Sequence, residues 1–130
     1  MWIGDVMTEY RTVADTLKIM GHPTRLQILD LLRRGEICVC HIERALHKRQ
    51  AYISQHLMIL RDAGLVESRK DGLQVYYRLS NQQTAELLDT LLGTLSEPRH
   101  EVIAGCTCPA CSSILITEIQ EMKGLQHVED

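Results

Sequence analysis

The sequence lacks any apolar run approaching the roughly 18 consecutive residues of a membrane span, and its first residues do not pair a basic stretch with an apolar core. Both absences point to a soluble, cytoplasmic chain with no membrane partner. No stretch of Pro, Gly or Ser is long enough to act as a linker between domains, and there are no repeats or low-complexity tracts. The 130 residues are therefore expected to build around a single core. A phosphate-cradling glycine loop, a nucleophile elbow and a βαβ unit ahead of a Cys-x-x-Cys are all missing, which disfavours an enzyme. Excess positive charge is missing too, since the net charge is −3. Five cysteines, an odd number, do not close a disulfide framework. In a reducing compartment closely spaced thiols are more often metal ligands or redox sensors.

The charge is unevenly spread. Residues 1–43 carry 5 basic and 6 acidic groups, residues 44–78 carry 7 and 3, and residues 79–130 carry 2 and 8. Only the middle of the chain is basic, as a phosphate-binding surface requires.

Val6, Tyr10, Val13, Leu17 and Met20 recur at helical spacing and predict a first helix from about Met7 to Met20, stopped at Gly21. Pro23 opens a second helix whose stripe is Leu26, Leu29 and Leu31 or Leu32, with Gly35 beyond its end. Two short periodic segments follow, about His41 to Leu46 and Gln50 to Ala63, separated only by His47 to Arg49. Helices joined so tightly must cross steeply, as in a helix-turn-helix. The β-prone runs Leu65 to Arg69 and Val75 to Leu79 flank a polar tip, Lys70 to Gln74, predicting a hairpin. Ser80 to Gln83 opens a last helix to about Ser96, with Leu88, Leu91, Leu92 and Leu95 on one face. A short amphipathic segment, Ser113 to about Lys123, carries Ile116, Ile119 and Met122. The expected class is mainly α with a small β-hairpin. Residues 1–98 would form a winged-helix DNA-binding and dimerisation domain, and residues 99–130 a cysteine-containing extension.

Four stretches carry a family resemblance: Glu36-Ile37-Cys38-Val39-Cys40-His41-Ile42, Ile53-Ser54-Gln55-His56-Leu57, Leu60 to Val66, and Val75-Tyr76-Tyr77-Arg78-Leu79. Over roughly residues 12 to 96 the chain resembles the ArsR/SmtB family of metal-sensing repressors, and its Cys-Val-Cys box looks like the arsenic-sensing branch. The resemblance implies a homodimer joined through the first and fifth helices, a fourth helix in the major groove of operator DNA, and release of that DNA when an inducer binds. Three positions depart from the family pattern. His41 stands where Asp is usual, Arg49 where the recognition helix usually has a Ser cap, and the fifth helix lacks the Asp and His pair of zinc-sensing members.

On the recognition helix Gln50, Tyr52, Ser54, Gln55 and His56 are the candidate groove residues, with Arg49 at its start assigned to phosphate. His56 is divided between the groove and a buried structural role. Arg69 and Lys70 are expected at the hairpin tip, on the DNA backbone. Two-fold protein symmetry predicts an inverted-repeat operator with half-sites about one helical turn apart.

Thiolates are soft ligands, so Cys38 and Cys40 suit As(III), Cd(II), Pb(II), Hg(II), Cu(I) or Zn(II), and the resemblance to the arsenic-sensing branch implies As(III), with Cd(II), Pb(II) or Zn(II) as alternatives. Two residues apart on a regular helix means about 200° of rotation, so one ion can take both sulfurs only if this turn is non-helical or unwinds. Cys106, Cys108 and Cys111 have ligand-like spacing. They either complete the Cys38–Cys40 site, form a second site, or serve as a scavenging or redox segment. A thiol redox sensor linking Cys38 or Cys40 to a tail cysteine is the rival form of regulation.

Overall fold

A computed structural model describes residues 2–95, with side chains from Met7 onward. The three tail cysteines, the segment Ser113 to Lys123 and the domain boundary at residues 98 and 99 lie outside the described residues. The order is α1 (Trp2–Met20), α2 (Pro23–Leu32), β1 (Ile37–Cys38), α3 (Val39–Leu46), α4 (Gln50–Asp62), β2 (Val66–Asp71), β3 (Gln74–Leu79) and α5 (Gln82–Leu92). Helices and a small antiparallel sheet make a winged helix-turn-helix. The sheet has three strands in the order β1-β3-β2, where a two-stranded hairpin was expected. The added strand pairs Ile37 with Tyr77 and Cys38 with Tyr76.

The core gathers one face from each element. Ile28, Leu29 and Leu32 of α2, Ile37 of β1, Ile42 of α3, Ile53, Leu57 and Leu60 of α4, Val66 of β2 and Leu88 of α5 are all buried there. In α2 the inward stripe runs through Ile28 rather than Leu26, which is only partly covered. Helix α2 starts cleanly because Pro23 needs no N–H partner and the His22 side chain accepts the Thr24 N–H through Nδ1 at 3.2 Å.

Helix α1 begins five residues before the expected start, at Trp2. Met20 is buried, but Tyr10, Val13 and Leu17 of the same apolar face are exposed. On α5, Leu88 turns inward while Leu91 and Leu92 remain exposed. Asn81 caps that helix, its Oδ1 accepting from the Thr84 N–H at 2.9 Å and the Thr84 hydroxyl at 2.8 Å. The helix ends at Leu92, short of the expected Ser96. Gly93 takes φ 92°, and its carbonyl accepts from Arg33 Nη1 at 2.7 Å. A tertiary contact thus stops a helix whose leucine period runs on to Leu95.

Between β2 and β3 the turn consists of Gly72 and Leu73, with Asp71 paired to Gln74. Gly72 has φ 62°. Positive φ at the first turn residue alone is the pattern of a II′ turn, which glycine adopts without strain.

Candidate nucleic-acid interface and cysteine box

The turn between α3 and α4 is made by a residue that is not glycine: His47 takes φ 53° and ψ 44° and ends α3. Three residues then suffice to redirect the chain into α4. Arg49 precedes α4 in extended conformation, exposed and contributing no side-chain cap. With Ile53, Leu57 and Leu60 turned into the core, α4 leaves Gln50 and Gln55 exposed and Ser54 half-buried.

Two expected groove residues are engaged elsewhere. Tyr52 is partly exposed, and its hydroxyl shares a hydrogen bond of 3.2 Å with the hydroxyl of Thr24 on α2. His56 is only 8% exposed and faces inward, its ring centroid 4.6 Å from that of His22 and 4.6 Å from that of Tyr52. This corrects its placement on the groove face: residue 56 lies one turn before Leu60 and packs on the start of α2. Its Nδ1 and the Nε of Arg25 are buried without hydrogen-bond partners among the described residues. Burial, and then the neighbouring His22 and Arg25, lower the His56 pKa below its ordinary value.

The unfolded chain therefore takes up the His56 proton first. The stability that the neutral ring contributes is fully present above about pH 6.5 and is lost as the pH falls toward the lowered folded value. In urea unfolding at about pH 7.5 and 5.5, His56→Gln is expected to lessen the acid-side loss of stability. An equal loss in both proteins would mean that His56 does not titrate in this way.

The wing also differs from expectation. Arg69 and Lys70 lie within β2, opposite Tyr76 and Val75, and not at the tip. Lys70 is exposed there. The Arg69 guanidinium lies over the Tyr76 ring at 4.6 Å and donates to Glu36 through Nε at 2.8 Å. Arg69 is thus partnered by the residue just before β1. Glu36 has no helical or strand period to betray it, so the sequence offers no local signal for this pair.

Cys38 and Cys40 straddle a junction rather than sharing a helix. Cys38 ends β1 with φ −81° and ψ 160°, whereas Cys40 is the second residue of α3. The 200° argument for a regular helix therefore does not apply, and no unwinding is needed to bring the sulfurs together. The Cα atoms are 5.4 Å apart and the two sulfurs are joined as a disulfide. Cys38 is fully buried and Cys40 half-buried. The Cys40 sulfur lies 4.0 Å from Oε1 of Gln74. It opens on a cleft of about 250 Å³ whose walls include Gln50 at the start of α4 and Leu73 to Val75 of the wing. His41, the next residue, is buried. Among the described residues no group of three or more His, Cys, Asp or Glu could hold a metal ion. The box nevertheless fits a thiophilic ion in donor chemistry, because two sulfurs lie together and that of Cys40 borders the cleft.

A winged helix-turn-helix, here with a cysteine pair near the start of α4, defines a class, that of DNA-binding transcriptional regulators. Residues 22–68 match the model of the arsR family of bacterial regulatory proteins. The chain is 37% identical over 90 residues to a biofilm growth-associated repressor of Agrobacterium fabrum, covering 69% of this chain and 77% of that one. It is 50% identical over 64 residues to the arsenical resistance operon repressor of Escherichia coli, covering 48% of this chain and 55% of that one. A solution structure of a homodimeric winged helix-turn-helix DNA-binding domain from Mycobacterium bovis, described as a possible ArsR-family regulator, superposes with a TM-score of 0.62 at 35% identity. That match covers 66% of this chain and 80% of the other. The protein belongs to the arsR family. No helix among its described residues is long and apolar enough to cross a membrane.

Proposed function

We propose that the protein is a dimeric cytoplasmic repressor that holds an operator with α4 and the wing and releases it when As(III) binds the thiolates of Cys38 and Cys40. The observation that carries this reading is the position of the box. Its two sulfurs meet at the β1–α3 junction, and Cys40 borders the cleft between the wing and the start of the reading helix.

As(III) takes three thiolates, so the third comes from Cys106, Cys108 or Cys111, of the same protomer or its partner. Among the described residues no group of three or more His, Cys, Asp or Glu could hold an ion, so a complete three-thiolate site needs a sulfur from outside them. Recruiting the third thiolate shifts the junction that supports α3, and α3 packs against α4, so the spacing of the two reading helices in a dimer responds. To move the protein from 1:99 to 99:1 in favour of the released form, the ion must prefer that form by about 5.5 kcal/mol. Cd(II), Pb(II) and Zn(II) are the alternative inducers, and relatives named as arsenical resistance repressors favour As(III).

Gln50, Ser54 and Gln55 read base edges, and Arg49, Tyr52 and Lys70 meet phosphates. Arg69 joins them by exchanging Glu36 for a phosphate. The exposed apolar faces of α1 and α5, with Tyr10, Val13, Leu17 and Leu91, are what a two-fold dimer buries.

The reading is tested by titrating operator complexes at fixed salt with As(III), Cd(II), Pb(II) and Zn(II). As(III) is expected to release wild-type protein at the lowest concentration, and a Cys106→Ser, Cys108→Ser, Cys111→Ser triple variant is expected to need more. A triple variant that responds like wild type removes the tail from the switch, and release by Zn(II) alone refutes the arsenite reading.

A further inference from the structure

We propose that Cys38 and Cys40 form an oxidisable dithiol within one protomer, closed by hydroperoxides, and that closure withdraws the box from thiophilic ions while leaving the operator-reading surface in place. Two observations carry it. The sulfurs are bonded to each other within intact elements: Cys38 pairs with Tyr76, and α3, α4 and the wing are complete. A Cα separation of 5.4 Å across one intervening residue also lies within the span that disulfides accept. A regular helix would give a similar Cα separation but turn the two side chains about 200° apart, whereas the extended backbone of Cys38 lets them face each other.

Exposure assigns the roles. Cys40 borders the cleft and meets the oxidant, whereas Cys38 is fully buried behind it and resolves the intermediate. The Cys40 sulfur attacks the terminal oxygen of the hydroperoxide. An S–O bond forms, the O–O bond breaks, and the alcohol leaves with the proton from the Cys40 thiol. The Cys38 sulfur then attacks the Cys40 sulfur, so that S–S forms, S–O breaks, and hydroxide departs with the Cys38 proton as water. Overall two thiols and one hydroperoxide give a disulfide, an alcohol and water, the thiols losing the two electrons that the peroxide gains.

A sulfur bonded to another sulfur offers no thiolate to an ion. The oxidised protein therefore binds its operator and stays bound when arsenite is added. That last clause rests on the arsenite reading above, and the dithiol chemistry does not.

The test uses full-length protein, reduced, treated with stoichiometric hydrogen peroxide, alkylated and digested with trypsin. Cleavage after Arg34 and Arg44 leaves both cysteines in the peptide Gly35–Arg44. This peptide is expected to be unalkylated and lighter than its dithiol form by two hydrogens, and reductant should reverse the change. Recovery of the peptide alkylated at both cysteines, or joined to one bearing Cys106, Cys108 or Cys111, overturns the proposal.

Withdrawal from ions is read without DNA, as loss of the Cd(II)–thiolate absorption band on oxidising the Cys106→Ser, Cys108→Ser, Cys111→Ser variant. An undiminished band overturns that half. If reduced wild type is not released by arsenite, the arsenite reading fails while the peptide and the band still decide the dithiol.

Discussion

Replacing Leu57 by Ala is expected to lower the free energy of unfolding by about 2–5 kcal/mol, the usual cost of emptying a fully buried leucine site. Leu57 is completely buried, and with Ile53 and Leu60 it fixes the inner face of the reading helix to α2, α3 and β2. The loss combines the transfer of its side chain back to water with a cavity that the short α4 cannot close by moving. Moving would displace the exposed Gln50 and Gln55. Urea unfolding at one fixed protein concentration measures the effect, because coupling to dimerisation makes apparent stability depend on concentration. A loss below about 1 kcal/mol would mean that the core collapses around the site, and that α4 is held less rigidly than its burial implies.

Arg33→Met is expected to cost about 2–3 kcal/mol, although arginine is usually a surface residue. The Arg33 side chain is only 5% exposed. Its Nε donates to Asp30 at 2.6 Å, and its Nη1 donates to Asp89 at 2.8 Å and to the Gly93 carbonyl at 2.7 Å. Methionine fills much of the volume but takes the guanidinium from Asp89, leaves Asp30 with only Arg34 at 3.9 Å, and leaves the end of α5 without its donor. Both carboxylates keep some contact with water, which holds the cost below that of a wholly buried pair. The Arg78–Glu67 pair is the control, with side chains 62% and 50% exposed, and Arg78→Met should change stability by less than about 1 kcal/mol. Equal effects at the two sites would show that burial does not govern the strength of these pairs. Because Arg33 ties α2 to the end of α5, its loss should also weaken dimerisation, which sedimentation can follow.

The legible parts of this fold were those written in local periods. Ile53, Leu57 and Leu60 recur at helical spacing and place α4 within one residue of its end. The three residues from His47 to Arg49 fix the turn, and alternation around Gly72 marks the wing. What stayed hidden depends on partners far along the chain. Strand β1 has two residues, too few for any period, and exists because Ile37 and Cys38 pair with Tyr77 and Tyr76. Helix α5 ends where Arg33 takes the Gly93 carbonyl, while its leucines alone argue for another turn. Arg69 reads as a free cation until Glu36 is found beside it. His56 reads equally well as a groove or a core residue, and the contact with His22 decides it. For the box, spacing poses the geometric problem, and the solution is the strand–helix junction that spacing alone does not reveal.

The measurement that bears most directly on the central claim is the fluorescence anisotropy of labelled operator DNA, held by fully reduced protein at fixed salt, as arsenite is added. Wild type is predicted to fall to the value of free DNA, while a Cys38→Ser, Cys40→Ser variant binds the operator and keeps it throughout the titration. Release of the variant at the same arsenite concentration, or retention of DNA by reduced wild type, would contradict the assignment of the switch to this cysteine box.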